Sequence, residues 1–334
     1  MNQTPAGAAP PSPEVSIAIP VFNEAGNLPT LYSALQQVLA DLALEYEVLL
    51  VDDGSTDATW STIESLHAAD ARIKGLRLSR NFGHQYALLA GLANAKGAAV
   101  ITLDGDMQHP VEMIPRLIEQ WRQGSMIVHT RRCDPPTASV FKQTSARLYY
   151  RLFSWLSGVK IENGMADFRL LDRQVVADIL QFHEEGLFFR GIAQWVGYPS
   201  TTLPYQCQPR LSGHSKYSLG KMLRLAWNGI TSFSIVPLRL AIVLGVLTSL
   251  GAFAEILYAI WVKLFTDDAV PGWASAISVV SFLFGVLFIL LGILGEYIGR
   301  ILIEVRQRPR YLVSAQAGIE NPVRDHHDRL GGNK

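Results

Sequence analysis

Two short acidic stretches, VDDGSTD at 51–57 and LDGDMQH at 103–109, each close a run of mostly apolar, β-branched residues. Alternate residues of an extended strand point to opposite faces, whereas a turn just past a strand lets Asp104, Asp106 and Gln108 converge. Such a set of hard oxygen donors suits Mg²⁺ or Mn²⁺, which keeps some of its waters and takes phosphate oxygens as further ligands. The acids are therefore expected to hold a cation that in turn holds a diphosphate. An isolated Asp-x-Asp carries little weight; the second acidic strand end strengthens it. Capping of their own turn is the competing reading for Asp52 and Asp53, which precede Gly-Ser.

The elements that must position these acids are legible around them. Val15–Phe22, Tyr46–Asp53, Ile73–Arg80, Ala98–Asp104 and Ser125–Arg131 are short, rich in β-branched residues and bounded by turn residues, so they read as strands. Between them Asn27–Leu44, Ala58–Asp70 and His84–Gly97 space their apolar residues by three and four, as amphipathic helices do. The alternation predicts an α/β fold with a mostly parallel sheet covered on both faces. Ligands of such folds collect beyond the carboxyl ends of the strands, where both acidic stretches fall.

The chain has 334 residues, is 49% hydrophobic and carries no formal net charge, which gives no reason to expect a nucleic-acid partner. Cys133 and Cys207 have no metal-ligand spacing and read as incidental thiols. Residues 1–14, rich in Pro and Ala, read as a flexible tail without the basic and apolar regions of a signal peptide. Two long apolar segments lie near the other end: Val236–Val262, interrupted by Arg239 and Glu255, and the uncharged Ala269–Gly295. Each is long enough to span a bilayer. Lys216, Lys221 and Arg224, with Arg239 at the start of the first segment, stand on one side of the pair, and Arg300, Arg306, Arg308 and Arg310 on the other. The excess of positive charge places the large domain and the C-terminal end in the cytoplasm. Ser145–Gly158 and Lys216–Ile230 mix basic and aromatic residues at helical spacing and are expected to lie at the membrane interface. The expected divisions are a tail to 14, a catalytic domain over 15–210, a juxtamembrane helix over 211–235, two spans over 236–298 and a cytoplasmic C-terminal tail over 299–334, loose after Tyr311.

PVFNE, VDDGSTD, RNFGHQYALLAGL and LDGDMQHP, in that order, resemble the family 2 glycosyltransferases with the nucleotide-sugar-binding GT-A fold. DFRLLDR, GHSKYS, SFSIVPLR and LGILGEYIGRILIEVRQRPRY narrow the resemblance to membrane-bound polyprenyl-phosphate glycosyltransferases of the GtrB type, and more distantly to dolichyl-phosphate mannose synthase. The resemblance implies that Pro20, Glu24, Asp52, Asp53, Arg80, Gly83 and Asp104 contact the nucleotide sugar. It further implies that Asp104, Asp106 and Gln108 hold Mg²⁺ or Mn²⁺. Asp106, Asp167 and Arg169 would be catalytic, with Asp167 as a base or as an orienting group. Arg131, Arg169, Arg210, Ser215 and Lys216 would bind the lipid phosphate, while His84 and His109 are expected in supporting positions. The implied reaction inverts the sugar, moving it from a nucleotide donor to a polyprenyl phosphate such as undecaprenyl phosphate at a bacterial plasma membrane, for cell-envelope or lipopolysaccharide modification. UDP-glucose is the first candidate donor; UDP-galactose, UDP-N-acetylhexosamines, UDP-aminoarabinose derivatives and GDP-mannose stay open. A homo-oligomer, tetrameric by resemblance, is expected. The competing readings are a processive polysaccharide synthase, whose Gln-x-x-Arg-Trp signature and extra spans are missing here, and a non-catalytic nucleotide-sugar-binding membrane protein.

Overall fold

The computed structural model describes residues 13–133, 165–182, 189–206, 236–265 and 272–319. Arg210, Ser215, Lys216, Cys207 and both expected interfacial segments lie outside the described residues. By its contacts the chain forms two compact units.

The first unit is built on an eight-stranded sheet in the order β7-β5-β6-β4-β1-β2-β3-β8. Its strands are β1 (Val15–Val21), β2 (Tyr46–Asp52), β3 (Ile73–Leu78), β4 (Ala99–Thr102), β5 (Ile127–Cys133), β6 (Met165–Asp172), β7 (Ser200–Gln206) and β8 (Val313–Ala317). The contiguous block β4-β1-β2-β3 is parallel, as is the pair β5–β7, while β6 runs antiparallel to both β4 and β5. Every residue of β1 and β2 is buried, as a sheet covered on both faces requires. On one face Ile17, Ile19, Val48 and Leu50 pack with α1 (Leu28–Ala40), α2 (Thr59–Ala69) and α4 (Ile114–Arg122). On the other, Ala18, Leu49 and Val51 meet α3 (His84–Asn94), α5 (Arg173–Ile179) and α6 (Phe189–Trp195). Gly91 lets α3 approach the sheet closely: a Cβ there would stand 3.0 Å from that of Ala18.

Three strands depart from the sequence reading. The motif DFRLLD is the body of β6, inserted between β4 and β5 with Phe168, Leu170 and Leu171 buried. Ser200–Gln206 forms the sheet edge as β7. The segment expected as a loose tail instead returns to the sheet. Its strand β8 pairs antiparallel with β3, Ser79 N donates to Leu312 O at 2.8 Å, and Tyr311 and Ile319 bury themselves in the core. An open β3 edge with unpaired backbone groups accepts any short extended segment free of charge and Pro, and VSAQA is such a segment.

The second unit contains α7 (Val236–Phe265) and α8 (Trp273–Arg306). Ala241–Val262 and Phe282–Arg306 have mean hydropathies of 1.9 and 2.1, long and apolar enough to cross a membrane. Both windows are only 6% buried, and Leu250, Phe253, Phe288 and Ile289 stand exposed along them, unlike the core helices of a water-soluble domain. The second helix runs eight residues past the expected boundary at 298 and ends where Gln307 turns left-handed, φ 48°.

Candidate active site

Because β1, β2 and β4 are parallel neighbours, their carboxyl ends open on one side. The loop after β1 is stitched to the loop after β2. Asn23 adopts φ 56°, its N–H donates to Ser55 Oγ at 2.9 Å, and its Oδ1 accepts from Thr56 N at 2.9 Å. Asparagine tolerates this left-handed geometry where most residues would be strained. Glu24 N donates to Thr59 Oγ1, and the Glu24 carboxylate accepts from Asn27 Nδ2 at 2.5 Å. Burial, followed by the charges of Asp106 and Asp57, pushes the Glu24 carboxyl above its usual range against that hydrogen bond. Glu24 thus lies within the field of Asp106.

Asp52 and Asp53, expected to contact the nucleotide sugar, are both buried here. Asp52 is wholly buried; its Oδ1 accepts from Ser55 N at 2.8 Å and its Oδ2 lies 3.3 Å from Arg77 Nε. Asp53 accepts from Phe82 N at 2.7 Å and Gly83 N at 2.9 Å, so it holds the Arg80–Gly83 loop in place. Burial raises its pKa, with these two donors opposing. Pro20 is likewise buried, in β1 opposite Val51, and the exposed aromatic on that loop is Phe22. Its missing N–H costs nothing there, because the ladder to β4 has ended at Ala18. Arg80 is exposed, its guanidinium 4.1 Å from the Phe82 ring, and Gly83 with φ 103° opens α3.

Gly54 locks these loops together. It has φ 70°, and a Cβ on it would stand 2.4 Å from Arg80 C and 2.7 Å from Asn81 N, both backbone atoms. Gly54→Ala is therefore expected to cost about 1–3 kcal/mol and to displace the Arg80–Gly83 loop. Thermal unfolding together with a UDP titration checks this; unchanged values in both would show that the loop absorbs the methyl.

The loop after β4 crosses the end of β1, where a Cβ on Gly105 would meet Val21 Cγ1 at 2.7 Å. Met107 adopts φ 61° and folds the loop back, so that Gln108 N and Nε2 donate to Asp106 Oδ1 and Oδ2 at 3.1 and 2.6 Å. Gln108 thus faces Asp106 with its NH₂ group. The expected metal ligand is here a donor that orients the acid. Asp104 Oδ2 lies 2.9 Å from His109 Nε2 and its Oδ1 3.4 Å from His84 Nε2. Among the described residues no group of three or more His, Cys, Asp or Glu side chains is arranged to hold a metal ion. Two carboxylates on an open loop, one of them 30% exposed, instead fit a hard cation that keeps waters and phosphate oxygens as its remaining ligands.

Strand β6 brings the remaining candidates. Its register, Thr102 opposite Arg169, carries Asp167 past the end of β4, and Thr102 Oγ1 donates to Asp167 O. Asp167 Oδ2 lies 3.8 Å from His84 Nε2, so this half-exposed histidine stands between Asp104 and Asp167. Arg169 is 1% exposed, donates through Nη2 to Ala166 O at 2.8 Å and lies 3.3 Å from Asp167 Oδ1. Expected at a lipid phosphate, Arg169 is here buried beside Asp167 and supports it. Arg131, near the end of β5, is exposed. Opposite Arg169 on β5 lies His129, which the sequence reading passed over. Burial and then the Arg169 charge lower its pKa to about 4, leaving it neutral in the core. Nothing in its sequence context marks it.

Residues 16–180 match glycosyl transferase family 2, and residues 236–301 match the GtrB C-terminal hairpin. The chain is 39% identical over 316 residues to the uncharacterized glycosyltransferase YkcC of Bacillus subtilis, covering 94% of this chain and 98% of that one. It is 40% identical over 303 residues to the bactoprenol glucosyl transferase of Shigella phage SfII, covering 90% and 97% respectively. The chain belongs to the family 2 glycosyl transferases that carry a GtrB C-terminal hairpin. It is a glycosyltransferase, as the order of its acidic motifs led us to expect, built on a mixed, mostly parallel sheet.

Proposed function

We propose that this enzyme transfers a hexose from a nucleotide sugar, UDP-glucose before the other candidates, to the phosphate of a polyprenyl lipid at the cytoplasmic face of a bacterial plasma membrane. The observation that carries the reading is one unit in which His84 stands between Asp104 and Asp167, with Asp106 on the same loop as Asp104, beyond parallel strand ends, within a chain that also holds two span-length apolar helices. The printed name of the phage relative, a bactoprenol glucosyl transferase, supports the acceptor. Strands before and after the two helices share one sheet, which supports an even number of bilayer crossings. The basic flanks favour the cytoplasm for that sheet.

In the reaction, a phosphate oxygen of the lipid attacks the anomeric carbon of the sugar. The bond from that carbon to the nucleoside diphosphate breaks, and a single displacement inverts the centre. A phosphate monoester is largely ionised near neutral pH, its second pKa being about 6, so the acceptor needs little help from a base. Asp167, held by Arg169, then serves to orient the acceptor or sugar rather than to take a proton. Glu24, Arg80 and Gly83 line the donor side, while Arg131, Arg210, Ser215 and Lys216 supply cations and a hydroxyl for the lipid phosphate. Asp104 and Asp106, the latter oriented by Gln108, would hold Mg²⁺ or Mn²⁺. When bound, that cation supplies Lewis-acid stabilisation for a departing diphosphate.

The test is transfer of label from a panel of nucleotide sugars into butanol-extractable lipid, by membranes containing the enzyme and undecaprenyl phosphate. One UDP-hexose should label the lipid, and EDTA should stop it. Label in water-soluble polymer would favour a polysaccharide synthase, and donor binding without turnover a sensor.

A further inference from the structure

The proposed role of Asp104 leaves a question of orientation, because a carboxylate on a loop rotates unless something holds it. The holder is His109. Its side chain is 8% exposed, its ring lies 5.3 Å from that of Phe168, and its Nε2 stands 2.9 Å from Asp104 Oδ2. The other ring nitrogen, Nδ1, is 3.0 Å from the hydroxyl of Tyr205, a buried residue of β7. In the sheet β7 is separated from β4 by β5 and β6, so a residue at one sheet edge reaches the loop of an inner strand through Phe168 and His109.

We infer that Tyr205 and His109 are positioning residues that fix the Asp104 carboxylate for cation and donor binding, an inference that rests on the reading of Asp104 given above. The direction of the hydrogen bonds follows from chemistry. An ionised carboxylate only accepts, so His109 Nε2 must carry a proton toward Asp104. Tyr205 can donate its hydroxyl proton to Nδ1, and this selects the neutral tautomer with the proton on Nε2. The result is a chain from Tyr205 O–H to Nδ1, and from Nε2–H to Asp104 Oδ2. With Oδ2 held, Oδ1 is left facing the half-exposed His84 on the open side of the loop. Outer partners of this kind fix the orientation of a ligating group, and losing one typically costs about 10–100-fold in metal affinity.

The experiment is a Mn²⁺ titration followed by electron paramagnetic resonance, with and without UDP, on the full chain in detergent. His109→Ala should weaken Mn²⁺ binding in the presence of UDP by about 10–100-fold, and Tyr205→Phe by about 3–10-fold. His109→Gln places an amide donor near the position of Nε2 and should keep binding within about threefold of wild type. Because Tyr205 acts through His109, Tyr205→Phe should add nothing to Mn²⁺ binding in the His109→Gln background. Tyr205→Phe removes one hydroxyl and keeps the ring, and thermal unfolding verifies its fold. If Tyr205→Phe lowers thermal stability but leaves Mn²⁺ binding at the wild-type value, the inference is overturned while Asp104 keeps its role. If Asp104→Asn itself binds Mn²⁺ and UDP like wild type, the assignment of Asp104 fails, and this inference with it.

Discussion

Asp106→Asn protein, folded and membrane-inserted, is expected to transfer sugar about a thousandfold more slowly than wild type, the scale seen when one group stabilising developing charge is lost. The substitution also removes the acceptor for Gln108 Nε2 but leaves the loop fold in place. Asparagine keeps an oxygen for Gln108 N, and the loop fold rests on Met107 at φ 61° and on the close approach of Gly105 to Val21. What disappears is the negative charge beside Glu24. Loss of that charge also relieves Glu24, whose carboxyl should titrate lower in the variant. Single-turnover transfer measured beside UDP binding separates the two effects. A variant that transfers at the wild-type rate would remove Asp106 from the chemistry.

Glu47→Ala should produce the largest loss of stability, about 3–5 kcal/mol, or roughly 10 °C in Tm. Glu47 lies at the amino end of β2, away from the acidic loops. It accepts from Ser16 Oγ at 2.5 Å, Lys96 N at 2.6 Å and Lys74 Nζ at 2.5 Å, and so ties β1, β2, β3 and the start of β4 together. Ser16 Oγ in turn accepts from Gly97 N. Burial alone would raise the Glu47 pKa, but the bonds from Lys74, Ser16 and Lys96 outweigh it and lower it below the usual carboxylate range. A lowered folded-state pKa gives stability that is complete above the unfolded carboxyl value and is lost as pH falls through the folded one. The Tm difference between wild type and Glu47→Ala should therefore be full near neutral pH and shrink in strong acid. A difference independent of pH would mean that the side chain contributes packing rather than charge.

The parallel half of the fold was legible because its strands are buried on both faces, and such runs carry few residues that confuse the pattern. Strand β6 was read as a motif because its charged residues, Asp167 and Arg169, drew attention from the apolar ones between them. Strand β8 is short and built of small residues, and only the open edge of β3 makes it a strand. At the candidate site, residue types marked which acids stand at strand ends but not which turn inward. Asp52 is drawn in because the register of β2 and β3 sets it opposite Arg77. Arg169 is buried because β6 lies between two strands. Gln108 became a donor through one backbone angle. Register, strand order and left-handed turns are tertiary choices, and a single sequence does not display them.

The central claim, that a sugar is moved onto the phosphate of a lipid, is tested most directly by the mass of the lipid product after reaction of undecaprenyl phosphate with the preferred nucleotide sugar. The account predicts a polyprenyl monophosphate carrying one hexose, with free nucleoside diphosphate released in equal amount. A lipid diphosphate, showing that sugar and phosphate moved together with release of the nucleoside monophosphate, would contradict it.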